Sequence, residues 1–327
     1  MITIQRFGTL PNGEPVNAYR VRAESGLSAT FLNYGATLQS LILPDGRDIV
    51  LGFDHLEDYL KPHAFFGAAI GRVANRIEKA RFVIDGQNYK VSANEGVHAL
   101  HGGPVGFDRV NWTASVEHQG VKFTHISPEG HQGYPGKLKA SFRYSLDNEG
   151  LCIEMMAETS HPTPVNLSAH SYFNLGDVDI NQHKLSFPAD YFFETDKDGI
   201  NHGEACRLDS HEFDFRASEP ISERAFDHHF NIPGTGMRRM ATLFSPDGLH
   251  RLIVLSDLPG MQVYSGQAIP PCIGKNGRSY GPFSGIAFEP QFPPNAVNLP
   301  GASDIILRPG QRWTQTILYK VASLKTV

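Results

Sequence analysis

Arg81-Phe82-Val83-Ile84-Asp85-Gly86-Gln87-Asn88-Tyr89-Lys90-Val91 reads as two short strands folded about a two-residue turn. Aspartate and glycine accept the left-handed backbone of a tight hairpin, and the flanking runs carry β-branched and aromatic residues. The same grammar recurs along the chain. Tyr144–Leu146 and Leu151–Ala157 flank Asp147-Asn148-Glu149-Gly150, and Met240–Phe244 and Leu249–Leu255 flank Ser245-Pro246-Asp247-Gly248. Ser28–Leu41 reads as a strand, a turn at Asn33-Tyr34-Gly35, and a second strand. Pro44-Asp45-Gly46-Arg47 is a tight turn leading into Asp48-Ile49-Val50-Leu51-Gly52. Leu56–Leu60 is the one short helix the pattern suggests, with a further turn near Pro220–Arg224. Many short strands separated by turn chemistry predict an all-β sandwich. A doubly wound α/β fold would need repeated helical crossovers, and the pattern contains none.

Bulk properties narrow the function. The chain has 327 residues, 40% of them hydrophobic, which is enough for a large core. With no linker, repeat or low-complexity tract, residues 1–327 are expected to form a single domain. The formal charge is −5 and no basic stretch suits a phosphate backbone, so nucleic acid is not an expected partner. Met1-Ile2-Thr3-Ile4-Gln5 does not read as a signal peptide, and no apolar run is long enough to span a membrane. Three cysteines, Cys152, Cys206 and Cys272, make a poor disulfide framework and fit a reducing compartment. A cytoplasmic protein, monomeric or homodimeric, is the expectation. Gly67-Ala68-Ala69-Ile70-Gly71-Arg72 lacks the spacing and the lysine of a phosphate loop, so no nucleotide cofactor is expected.

Five places carry chemistry. Pro164-Val165-Asn166-Leu167-Ser168-Ala169-His170-Ser171-Tyr172-Phe173-Asn174-Leu175 is rich in hydrogen-bonding groups, a poor core strand and a good edge for binding a polyol. Its His170 can move a proton near neutral pH. Gly71-Arg72-Val73-Ala74-Asn75-Arg76-Ile77 is either a surface turn or a site where Asn75 and the Arg76 fork hold vicinal hydroxyls. In Leu100-His101-Gly102-Gly103 an imidazole precedes two flexible glycines, good geometry for a ligand close to the backbone. His98 stands nearby, but a metal pair with His101 lacks a tidy third ligand. In Ala225-Phe226-Asp227-His228-His229-Phe230 the adjacent histidines face opposite ways, which disfavours a shared metal. Asp227 is either a ligand-orienting carboxylate or a turn former. Finally, Gly285-Ile286-Ala287-Phe288-Glu289-Pro290-Gln291 embeds a carboxylate in an apolar strand. Burial would raise the pKa of Glu289 toward that of a useful base, and an edge position would leave it in water. Met261-Gln262-Val263-Tyr264 adds an amide able to face a sugar.

These segments, in this order, resemble the aldose 1-epimerase (galactose mutarotase) family. The resemblance runs from Asn33-Tyr34-Gly35-Ala36 to the C-terminal strand. It implies a large antiparallel β-sandwich of the galactose mutarotase type and an isomerase that interconverts the anomers of a free aldose. Carried over, it assigns Glu289 as general base, His170 as general acid and His101 as the second histidine near the ring oxygen. Asn75, Arg76, Asp227 and Gln262 match the positions that hold hydroxyls. No cofactor and no metal are implied, and the partner is a monosaccharide. Two departures bear on the sugar. Ala169 stands where the family usually has asparagine, and Phe226 where tyrosine is common. A pentose, deoxy sugar or hexose 6-phosphate is the alternative substrate, with Arg72, Arg238 and Arg239 as candidate phosphate partners. A non-catalytic sugar-binding module is the alternative class.

Overall fold

The computed structural model describes residues 1–323 apart from His63 and Asp177. The hairpin at Asp85-Gly86 forms as read, Arg81–Ile84 pairing antiparallel with Gln87–Lys90. So do the hairpins joining Leu138–Leu146 to Gly150–Thr159 and Arg238–Phe244 to His250–Ser256. Ser28–Leu32 and Thr37–Ile42 pair across the expected turn, and Leu56–Leu60 is a short helix. Asp48–Gly52 differs from a ladder strand. It is held by isolated bridges, one between Val50 and Phe173, and by Lys275, which bonds the Gly52 carbonyl and the Asp48 carboxylate.

The strands build two large antiparallel sheets. A nine-stranded sheet runs in the order Thr113–Glu117, Gly120–Ser127, Leu138–Leu146, Gly150–Thr159, Trp313–Ser323, His250–Ser256, Arg238–Phe244, Lys184–Ser186, Glu219–Pro220. A six-stranded sheet runs Tyr172–Phe173, Ile286–Gln291, Gly260–Tyr264, Asp227–Asn231, Tyr191–Thr195, Asn201–Arg207. One apolar cluster joins them. Phe288, Val263, Phe230 and Phe173 from the smaller sheet share it with Phe142, Ile153, Leu252 and Ile317 from the larger. The Phe173 and Tyr319 rings meet edge to face, 4.8 Å apart, where the layers touch. This is the packing of a β-sandwich, whose core is the alternate residues of two facing sheets. No helix among the described residues is long and apolar enough to cross a membrane.

An N-terminal four-stranded sheet, Ile2–Thr9, Pro15–Arg22, Ser28–Leu32 and Thr37–Ile42, closes one end. It is tied to the nine-stranded sheet by a buried hydroxyl, since Tyr144 Oη donates to the Ala36 carbonyl at 2.7 Å. Desolvation holds the Tyr144 proton on, so the phenol stays a donor. Removing that donor leaves a buried carbonyl without a partner. Tyr144→Phe is therefore expected to lower unfolding free energy by about 1–3 kcal/mol, measured by urea denaturation.

Candidate active site

A two-residue period decides what the six-stranded sheet presents on each face. Along Ile286–Gln291, Ile286 and Phe288 enter the core, and Ala287, Glu289 and Gln291 face the other way. Register carries that face across three strands. Glu289 stands opposite Gln262, and Gln262 opposite His229; Ala287 stands opposite Tyr264, and Tyr264 opposite Asp227. Tyr172 pairs with Ala287, and His170, two residues earlier, lies beside Tyr172 with ring centroids 5.0 Å apart. Sheet pairing thus gathers groups that are more than a hundred residues apart in sequence.

The central contact is His170 Nε2 to Glu289 Oε1 at 3.4 Å, with both side chains buried. A nitrogen of His101 joins them, the three ligating-type atoms lying within 4.8 Å of one another. They sit at the floor of a cavity of about 340 Å³ also lined by Phe65, Asn75, Arg76, Tyr172, Asp227, Tyr264 and Gln267. The Phe65 ring forms an apolar wall, 4.7 Å from His101 and 5.7 Å from His170. Glu289 occupies a central strand and is 2% exposed, which removes the reading of a carboxylate facing water. Burial raises its pKa well above the usual carboxylate value; Asp227 adds to the rise and Arg76 opposes it.

His101 is held by the backbone of Asn75 in both directions. Its N–H donates to the Asn75 carbonyl at 3.1 Å, and its Nδ1 accepts from the Asn75 N–H at 3.1 Å. Accepting at Nδ1 requires the neutral ring to carry its proton on Nε2. Burial, then the neighbouring His170 and Arg76 charges, hold His101 well below the ordinary imidazole pKa, so that tautomer persists. The His101, His170 and Glu289 trio has the spacing of a metal site. A metal on His101 Nε2 would need a proton on Nδ1, where the Asn75 N–H already points. The following turn is tight, since a Cβ on Gly102 would lie 2.0 Å from the Gly71 carbonyl oxygen.

The hydroxyl-binding candidates divide. Asn75 Oδ1 accepts from the Arg76 N–H, leaving its amide NH₂ to meet the cavity. Arg76 spends most of its fork on Glu95, with Nε and Nη2 bound to the carboxylate at 2.6 and 2.9 Å. Its Nη1 lies 3.8 Å from Asp227 and faces the cleft. Burial works against the Arg76 charge, but Glu95 and Asp227 outweigh it and raise its pKa. Asp227 begins a strand rather than forming a turn. Gln262 differs from the expectation of a sugar-facing amide. It stands behind Asp227, donating to Asp227 Oδ1 at 2.6 Å, and does not line the cavity.

Several readings are corrected by burial. Pro164–Leu175 is no exposed edge; every residue of it is buried. Its polar groups bond to main chain: Ser168 Oγ to Pro290 O, Asn174 Nδ2 to Ser284 O, and Asn166 to both the N–H and the carbonyl of Phe292. Ala169 packs in the main core, on the opposite side from His170, so the departure there removes no group from the cavity. Phe226 also packs in that core. Gly71–Ile77 is not a surface turn, because all of it except Arg76 is buried. Arg72 is locked by the carbonyls of Ser127, Pro128 and Pro135 and by the Ser127 hydroxyl. Arg238 is likewise bound to the carbonyls of Ile232, Pro233, Gly236 and Leu258. Neither these two nor Arg239 line the cavity. His98 Nδ1 accepts from the Lys79 N–H, and His101 groups instead with His170 and Glu289. Residues missed from sequence are Phe65, Glu95, Tyr172, Tyr264 and Gln267. Only Tyr172 and Tyr264 carried a signal, lying two residues from His170 and Gln262.

A buried carboxyl beside an imidazole, in a polar-rimmed cavity of a β-sandwich, is the arrangement of an enzyme that moves protons on a hydroxylated ligand. The chain belongs to the aldose 1-epimerase family, whose sequence profile matches residues 17–320. It is 38% identical to galactose mutarotase from Bos taurus, over 98% of this chain and 99% of that protein. It is 34% identical to aldose 1-epimerase from Escherichia coli K12, over 95% and 96%. Among solved structures it is similar to an aldose epimerase homologue from C. elegans, TM-score 0.89 at 30% identity, over 94% of this chain and 98% of that one. Galactose 1-epimerase from Lactobacillus acidophilus matches equally, TM-score 0.89 at 29% identity, over 99% of both chains. The chain is an isomerase that interconverts the anomers of an aldose.

Because Asp227 raises and Arg76 lowers the Glu289 pKa, their removal should act in opposite directions. An NMR titration of the Glu289 side-chain carboxyl carbon should shift to lower pH in Asp227→Asn and to higher pH in Arg76→Gln.

Proposed function

We propose that Glu289 is the general base and His170 the general acid of this epimerase, acting on a neutral free hexose of the galactose type. Glu289 takes the proton of the anomeric hydroxyl while His170 delivers one to the ring oxygen. The C1–ring-oxygen bond breaks, giving the open aldehyde, and C1 turns about its bond to C2. Closure on the other face of the carbonyl returns both protons and yields the other anomer. One observation carries this reading. Glu289 Oε1 and His170 Nε2 lie 3.4 Å apart, so the pair can serve the two oxygens of one anomeric carbon, each reversing its role on closure. Neutral His101 donates Nε2–H toward the ring oxygen and holds a negative charge developing there. Asn75, Arg76 and Asp227 hold hydroxyls, and Gln262 keeps Asp227 aimed. The full-length relatives named for galactose support the sugar type. No arginine placed to bind a phosphate lines the cavity beyond Arg76, which is engaged with Glu95, and this weighs against a hexose 6-phosphate. We also propose that the described chain works as one domain in the cytoplasm, without nucleic-acid partners.

The test is polarimetric relaxation of freshly dissolved α-galactose. Glu289→Gln and His170→Asn are each expected to lower kcat by about 10²–10⁴-fold with circular dichroism unchanged. Full activity in either variant would overturn that residue's assignment.

A further inference from the structure

Behind the cavity, on the sheet face that carries Glu289, lies a set of buried polar groups that the proton transfer does not use. Gln291 follows Glu289 by two residues on the same strand. His229 stands opposite Gln262, which stands opposite Glu289. All four side chains belong to residues at most 2% exposed. Glu289 Oε2, Gln262 Oε1, both ring nitrogens of His229 and both amide atoms of Gln291 make no direct hydrogen bond. Polar atoms gathered on one buried face are costly unless they satisfy one another.

Gly260 shows where His229 points. It pairs with Asn231 on one side and Gln291 on the other, and a Cβ on it would lie 2.3 Å from His229 Nε2. Its φ lies outside the left-handed region, so the backbone does not call for glycine; the bare Cα makes room for the imidazole. His229 Nε2 is thereby carried over the middle strand toward Gln291. Burial lowers the His229 pKa to about 3, so the ring is neutral and has one N–H to give. Gln262 turns its NH₂ to Asp227, which leaves its Oε1 to accept. Glu289 Oε2 accepts as well when the carboxyl is ionised. The Gln291 NH₂ has two hydrogens, one for each of these oxygens. Gln291 Oε1 then needs a donor, and His229 Nε2–H is aimed at it. Buried water carries any link that the side chains do not make directly.

We propose that His229 and Gln291 are positioning residues for Glu289, with Gln291 holding Oε2 from behind and His229 fixing which way the Gln291 amide points. This rests on the proposed role of Glu289 as the base. With Oε2 held, Oε1 stays toward His170, and the carboxylate keeps a donor whenever its proton leaves. Neither residue lines the cavity, so both act through the carboxyl and not on the sugar.

The experiment measures galactose anomer exchange by polarimetry in His229→Leu, His229→Gln and Gln291→Leu, with melting curves to check folding. Each leucine variant should lose about tenfold in kcat with KM within about twofold, and His229→Gln, which returns an N–H donor, should recover to within about threefold of the unsubstituted enzyme. The NMR titration of the Glu289 carboxyl carbon should move to higher pH in both leucine variants, because the charged form loses a donor. His170, His101, Asp227, Arg76, Tyr172 and Tyr319 surround that carboxyl and are kept in both. In the unsubstituted enzyme, nitrogen NMR should find the His229 proton on Nε2. A proton on Nδ1 overturns the positioning role, and this reading stands even where a leucine variant does not fold. So do full kcat in both leucine variants, a loss in KM alone, or a His229→Gln variant as slow as His229→Leu. If Glu289→Gln exchanges anomers at the full rate, the base assignment falls and the positioning role with it.

Discussion

Glu289 sits in the middle of a sheet whose other face is apolar core, and keeping a carboxyl there costs free energy unless a neighbour shares its proton. His170 Nε2 stands 3.4 Å from its Oε1. Much of the site follows from this requirement. The imidazole must itself be fixed, so its backbone is sewn to the Gly67–Ala68 segment by two hydrogen bonds at 3.0 Å. On either side of it, Asn166, Ser168 and Asn174 are buried and brace the main chain at Phe292, Pro290 and Ser284. A polar run thus serves as scaffolding for one titrating pair.

Arg76 does a second job by balancing charge around that pair. It meets Glu95 through two nitrogens, approaches Asp227 through the third, and lowers the Glu289 pKa that Asp227 raises. A single guanidinium therefore fixes one wall of the cavity and tempers the carboxyl behind it.

The fold was readable because hairpin chemistry is local. Asp85-Gly86, Asp147–Gly150 and Ser245–Gly248 each specify a turn within a few residues, and each turn formed. Glu289, His170, His101, Asn75, Arg76 and Asp227 were singled out because their residue types stand out in apolar or glycine-rich surroundings, and the structure lines one cavity with them. Glu95 was not visible in this way. Its partner lies 19 residues away, on the other side of the Arg81–Lys90 hairpin, and turn chemistry does not specify what the two flanks of a hairpin meet.

The sequence by itself determined an all-β chain, the hairpins and the chemical types available for proton transfer, because turn propensity and side-chain chemistry are properties of neighbouring residues. Only the tertiary structure decided which side each residue faced and what it met. Ala169 entered the core, Arg72 was enclosed by carbonyls, and Gln262 moved behind Asp227. The pairing of Glu289 with His170 was decided there too. Each depends on register or packing between distant segments, and a one-residue slip between their strands would turn Gln262 or Glu289 to the other face.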